Sequence, residues 1–196
     1  MTLIEPYEQI SAPWVWEAAD LAGREDWIFP LSAATLDDID RALSDVKQRE
    51  IAIDNITASD FPLPSFNKDI DLIRNSLERG PGMGLVRGVP VDKYDHDGLR
   101  LILWGIGTHI GLGAPQSFRG DMIGDVMDMS HTGDIRRSYR SPRPLYLHVD
   151  PIDIVGLLCT RQAKAGGWSL LTSAAALYNT ILMERPDLMP ALYHGF

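Results

Sequence analysis

Two residues of complementary metal chemistry stand two positions apart in the last third of the chain: the imidazole of His148 and the carboxylate of Asp150, separated by Val149. On a strand, residues two apart point to the same face. One nitrogen and one oxygen donor could then meet at a single ion. Such a pair makes two corners of the 2-His-1-carboxylate facial triad, an arrangement suited to non-haem Fe(II) that leaves sites open for substrate and oxygen. The plain alternative is a histidine and an aspartate bonding each other or the backbone at a strand end. With five histidines and 27 acidic residues in 196, chance alone supplies roughly 0.7 such pairs per chain, so the tripeptide carries little weight by itself. Of the other histidines, His109 reads as a packing or helix-end residue and His131 as part of a polar loop, and neither is taken as a ligand. A cupin-like centre, with His148 joined by another histidine, is a less favoured reading.

The elements that must position this pair follow from periodicity. A short helix is expected around residues 13–21, entered through Pro13. A second starts near Thr35-Leu36-Asp37-Asp38 and carries Leu36, Ile39, Leu43 and Val46 on one stripe as far as Gln48. A third runs from Lys68 with Ile70, Ile73 and Leu77 on one face and ends at Gly80. Residues 84–89 read as a strand bounded by glycines. A helix from His96 to Ile110, with Leu99, Leu103, Ile106 and Ile110 inward, ends in Gly111-Leu112-Gly113. Short strands are then predicted at 122–127, 145–149, 152–160 and 168–172, with a tight turn at Gly166-Gly167. Residues 174–184 form the last clear helix. Helices followed by a run of short strands favour an α+β chain with a jelly-roll core.

Composition narrows the partners. Hydrophobic residues make up 45% and charged residues 23%, as in ordinary globular domains. The formal net charge is −9, which opposes nucleic-acid binding. The basic stretch from Arg136 to Arg143, with four arginines, reads as a solvated loop. No membrane span or signal peptide is indicated. The single cysteine, Cys159, fits a reducing cytoplasm and reads as a buried, inert thiol.

The surroundings of the His–Asp pair are more specific than the pair. Leu145-Tyr146-Leu147-His148-Val149-Asp150 is followed by Asp153-Ile154-Val155-Gly156-Leu157-Leu158-Cys159, then Ala163-Lys164-Ala165-Gly166-Gly167-Trp168-Ser169 and Thr172-Ser173. This stretch resembles the TauD/TfdA (taurine dioxygenase-like) family of Fe(II)- and 2-oxoglutarate-dependent oxygenases. Gly84-Leu85-Val86-Arg87-Gly88-Val89-Pro90 upstream, and Arg185-Pro186-Asp187-Leu188 with Leu192-Tyr193 downstream, extend the likeness over about residues 80–196.

The resemblance implies a helical N-terminal region, residues 1–80, packing on a partial double-stranded β-helix (jelly-roll) domain at 81–196. It implies His148 and Asp150 as iron ligands, Ser169 as a hydroxyl contacting 2-oxoglutarate, and Gln116 near the active site. The implied reaction hydroxylates a small organic substrate with molecular oxygen, releasing succinate and carbon dioxide. The family also needs a distal histidine and an arginine, well over a hundred residues beyond the first ligand. Here 46 residues follow Asp150. His194 and Arg185 match a helix and loop rather than those positions. The expectation is therefore an incomplete jelly roll lacking C-terminal strands, inactive as it stands and prone to self-association through an exposed sheet edge. The rival expectation is a non-catalytic remnant or interaction domain of the same fold.

Overall fold

The computed structural model describes residues 7–117, 120–132 and 140–195. It divides into two compact units, each built from segments distant in sequence.

The first unit is drawn from Met1–Pro30, Lys68–Gly88 and Trp168–Phe196. Its sheet is a pair of short parallel strands, β1 (Ile28–Pro30) and β2 (Leu85–Arg87), with Phe29 opposite Val86. Beside them runs α3 (Asn67–Arg79), which buries Ile70, Ile73 and Ser76. The Ser76 hydroxyl donates to the Met83 carbonyl at 2.7 Å. The Ser76 carbonyl in turn accepts the N–H groups of Gly80 and Gly82, closing the helix. Gly82 has φ of 77°, a conformation that costs glycine nothing and lets the chain reverse into β2.

Near the other end of the sequence, α5 (Ala174–Glu184) begins at a buried cap. Ser173 Oγ accepts the Ala176 N–H and its hydroxyl donates to the Trp14 carbonyl at 2.6 Å. One turn on, the Asn179 amide holds Ile10 on both sides, accepting its N–H and donating to its carbonyl, each at 2.8 Å. The final helix, α6 (Met189–His194), buries Met189 completely. The helix expected from Pro13 is confined to α1 (Ala18–Leu21), where the Glu17 N–H donates to the Asp20 carboxylate.

The second unit comprises Leu31–Asn67 and Val89–Gly167. Its core is α2 (Ala33–Gln48) and α4 (His96–Thr108) packed with the turn residues Ile56, Phe61, Leu63 and Phe66, all fully or almost fully buried. The cap of α2 is Ser32, not Thr35: Ser32 Oγ accepts the Thr35 N–H, and Thr35 is buried beneath it. Leu99, Ile102 and Gly105 form the inward face of α4, rather than Leu103, Ile106 and Ile110. The cause is Gly105, where a Cβ would lie 2.4 Å from the Phe61 ring. The helix turns its smallest residue to the largest neighbour, and the aliphatic residues between are only half covered. Asp38 is buried within α2. Burial pushes its carboxyl upward, but the Ser65 N–H at 2.7 Å and the Arg41 guanidinium outweigh this and hold it below the ordinary value.

Beyond α4 the outcome departs from the sequence reading. None of the segments 122–127, 145–149, 152–160 and 168–172 forms a strand. Alternating apolar residues make a strand only where a partner completes the ladder, and among the described residues these segments have none. Leu145, Leu147 and Val149 are consequently open to solvent. Cys159, expected to be buried, is exposed for the same reason. Gly166 and Gly167, expected to make a tight turn, have φ of 71° and 70°, and the chain bends just before them at Lys164 and Ala165. No helix among the described residues is long and apolar enough to cross a membrane. Arg136 and Arg137 of the basic stretch lie outside the described residues; the carbonyl of Arg140 accepts the Met129 N–H at 2.9 Å.

Candidate metal centre

His148 and Asp150 lie in the second unit on a segment that ends at Pro151. A residue before proline is confined to extended backbone, which favours side chains two apart projecting together. His148 Nε2 and Asp150 Oδ1 are 3.8 Å apart, and both side chains are about half exposed. The Asp150 carbonyl accepts the Ile152 N–H at 2.8 Å, a tight turn just after the pair.

The tautomer follows from one contact. His148 Nδ1 is 2.7 Å from the Tyr146 carbonyl. A carbonyl can only accept, so Nδ1 carries the proton. In the neutral ring, Nε2 is then the lone-pair nitrogen, on the side where Asp150 stands. Metal-bound histidines are oriented in this way, by donation of the other ring N–H to a backbone carbonyl or carboxylate. The donor set thus fits a ferrous ion in kind: one imidazole nitrogen, one carboxylate oxygen, and a fixed tautomer. It is one donor short of a facial triad, since among the described residues no group of three or more His, Cys, Asp or Glu could hold a metal.

The other two sequence-derived candidates are not joined to this pair by any hydrogen bond or ion pair among the described residues. Gln116 is exposed and folds back on its own loop, its side-chain amide donating to the Ala114 carbonyl at 2.9 Å and its N–H to the Asp121 carbonyl at 2.6 Å. Ser169 is exposed and belongs to the first unit. His109 has a packing role, its Nε2 lying 2.7 Å from the Phe61 carbonyl. His131 is exposed in a single helical turn at Ser130–Thr132.

Sequence reasoning passed over one charged cluster. His96 and Arg100 lie one turn apart on α4, and both face Asp125. Arg100 Nη1 reaches the two carboxylate oxygens at 2.9 Å, and His96 Nε2 lies 3.4 Å away. The i, i+4 spacing of His96 and Arg100 was the available signal. The cluster ties the 121–127 segment to α4.

The comparisons with known proteins bear on the same region. The sequence matches the model of the taurine catabolism dioxygenase TauD, TfdA family over residues 45–194. It is 28% identical over 184 residues to the FR-33289 synthase of Streptomyces rubellomurinus (strain ATCC 31215), covering 92% of this chain and 54% of that protein. It is 26% identical over 191 residues to the taurine hydroxylase-like protein SAT17 of Stachybotrys chartarum (strain CBS 109288 / IBT 7711), covering 90% of this chain and 48% of that one. The chain spans about half the length of the curated relatives it matches.

Proposed function

The chain belongs to the TauD/TfdA dioxygenase family, and from that premise we propose that it forms part of an Fe(II)- and 2-oxoglutarate-dependent oxygenase hydroxylating a small organic substrate. The observation that carries the reading is the His148–Asp150 pair, with Nδ1 committed to the Tyr146 carbonyl and Nε2 left as the donor nitrogen. Iron held there would couple oxidative decarboxylation of 2-oxoglutarate to oxidation of the substrate.

The roles of this chain's residues follow. His148 and Asp150 would hold the metal by Nε2 and a carboxylate oxygen, and the carboxylate would offset part of the ion's charge. The Tyr146 carbonyl keeps the imidazole from rotating or taking the other tautomer. The family resemblance gives the Ser169 hydroxyl the role of donating to a carboxylate of 2-oxoglutarate. Gln116 lines the substrate side. Hydroxylation is the outcome we assign, in keeping with a relative named as taurine hydroxylase-like.

A second reading has its own observation. The pair is half exposed and offers two donors, too few for tight Fe(II) binding, so this chain alone would be a catalytically silent member of the fold. Succinate release from 2-oxoglutarate, with Fe(II) and ascorbate supplied, tests the donor accounting, and Fe(II) titration tests the site. The 196-residue chain is expected to give negligible turnover, while Fe(II) titration detects weak binding that His148→Ala removes. Robust succinate formation by this chain would refute the donor accounting. Fe(II) binding unchanged in His148→Ala would refute the site.

A further inference from the structure

We infer that His96, Arg100 and Asp125 form a proton-sensitive clasp, which fastens residues 121–127 to α4 more firmly when the imidazole is charged.

The first observation is that the fastening is local. Residues 122–127 form neither helix nor strand. Among the described residues, every hydrogen bond between 122–127 and the rest of the second unit comes from Arg100. Its Nη1 donates to both Asp125 carboxylate oxygens at 2.9 Å, and its Nη2 to the Ile123 carbonyl at 3.4 Å. Met122, Ile123 and Asp125 are half-buried, whereas Val126 and Met127 are exposed. Just ahead of the segment, Gly120 has φ of 84° and open space where a Cβ would stand, so rotation there meets no packed neighbour. A stretch with few buried apolar contacts and one polar anchor lies at the low end of local stability.

The second observation is that the anchor joins two cations of different kinds to one carboxylate. The Arg100 guanidinium keeps its charge throughout the physiological range and forks onto Asp125. His96 Nε2 lies 3.4 Å from Asp125 Oδ1, one turn earlier on the same helix. Histidine is the side chain whose charge changes between about pH 5 and 8. At the acidic end of that window Asp125 meets two positive charges. At the alkaline end it meets one, and the arginine fork alone holds the segment.

The third observation is that little else competes for the imidazole. Asp125 is the one charged partner of His96 among the described residues. The charges that α2 brings to this end of α4 are engaged elsewhere, Lys47 with Asp95 at 3.0 Å and Asp40 with Lys93 and Tyr94. Asp97 is adjacent to His96 in the first turn, and helix residues one apart do not face each other. At the head of the segment the Asp121 carbonyl accepts the Gln116 N–H at 2.6 Å, so the clasp also steadies the loop that bears Gln116. The bearing of that loop on a substrate rests on the oxygenase reading; the clasp does not.

The test places a nitroxide on Val126→Cys in the full 196-residue chain, with the exposed Cys159 changed to Ser so that one thiol is labelled. Electron paramagnetic resonance reads the ratio of fastened to released label from about pH 5.5 to about pH 8 at constant low salt. The expected result is a fall of about two- to fivefold across that window, the range an exposed ion pair supports. His96→Gln should abolish the slope and leave the segment on the Arg100 fork. His96→Lys, permanently charged, should keep the segment fastened at both ends of the window. Asp125→Asn should release it at both. A ratio independent of pH in the parent overturns the inference, and so does a slope that survives in His96→Gln or Asp125→Asn. Circular dichroism of the helices accompanies each variant, and if His96→Gln fails to fold, a slope retained in His96→Lys overturns the inference equally. No iron enters the measurement, so its failure removes the clasp alone, while loss of His148-dependent Fe(II) binding removes the oxygenase reading alone.

Discussion

Asp150→Asn separates a metal-binding pair from an ordinary ion pair. The change keeps the shape of the side chain and removes its charge. His148 Nε2 and Asp150 Oδ1 are 3.8 Å apart, so a full unit-charge attraction between them in water is about 1 kcal/mol. Both side chains are about half exposed, and solvent screening and side-chain entropy reduce such pairs to roughly 0–1 kcal/mol. For a chain of this length, 1 kcal/mol shifts the melting temperature by about 2–4 °C. The expected result is a melting temperature within about 4 °C of the parent, together with a loss of Fe(II) affinity of at least tenfold, because an amide oxygen is a far poorer ligand for a hard cation than a carboxylate. Calorimetry and anaerobic Fe(II) titration read the two quantities on the same preparation. A fall of more than about 10 °C with metal affinity intact would refute the reasoning, for it would mean that the pair holds structure and not an ion.

Two further outcomes test the frame around the site. Gly105→Ala places a methyl group 2.4 Å from the buried Phe61 ring; alanine's better helix propensity returns about 1 kcal/mol, against a larger overpacking cost, so urea unfolding should show a net loss of about 1–2 kcal/mol. Asp60, held at about 2 by the Thr57 hydroxyl, then Arg49 and the Thr57 N–H, has a lower pKa folded than unfolded; its contribution is therefore present above about pH 4 and is lost as pH falls through about 2. Asp60→Asn should flatten the stability profile between those values and leave the profile above pH 5 parallel to the parent's, as followed by urea midpoints.

The helices were legible because periodicity is local information. Ile39, Leu43 and Val46 in α2, and Ile70 and Ile73 in α3, are inward as their spacing requires. The face of α4 was misjudged by about one position, since spacing alone does not reveal that Phe61 needs the gap at Gly105. Ser32 was passed over as a cap because Thr35 offers the same chemistry three residues later, and the backbone decides between them. The strands failed for a different reason. Alternation within 145–149 states which residues could share a face, but a ladder is a property of two segments. The His–Asp pair was visible as a spacing. The Tyr146 carbonyl that sets the histidine's tautomer was not, because a backbone acceptor leaves no mark on residue identity.

The Asn179 grip on Ile10 joins positions 169 residues apart. During synthesis, the first unit cannot close its arm until the ribosome has delivered α5. The buried apolar residues of the α2–α4 core lie between Ile39 and Ile102, so that core is free to condense earlier. The two units should therefore acquire structure in the reverse of the order in which their leading residues emerge, with the N-terminal arm idle while the middle of the protein folds. Loop closure over so long a separation is slow, so emergence of α5, rather than collapse of the helical core, should set the time at which the N-terminal arm becomes protected from protease.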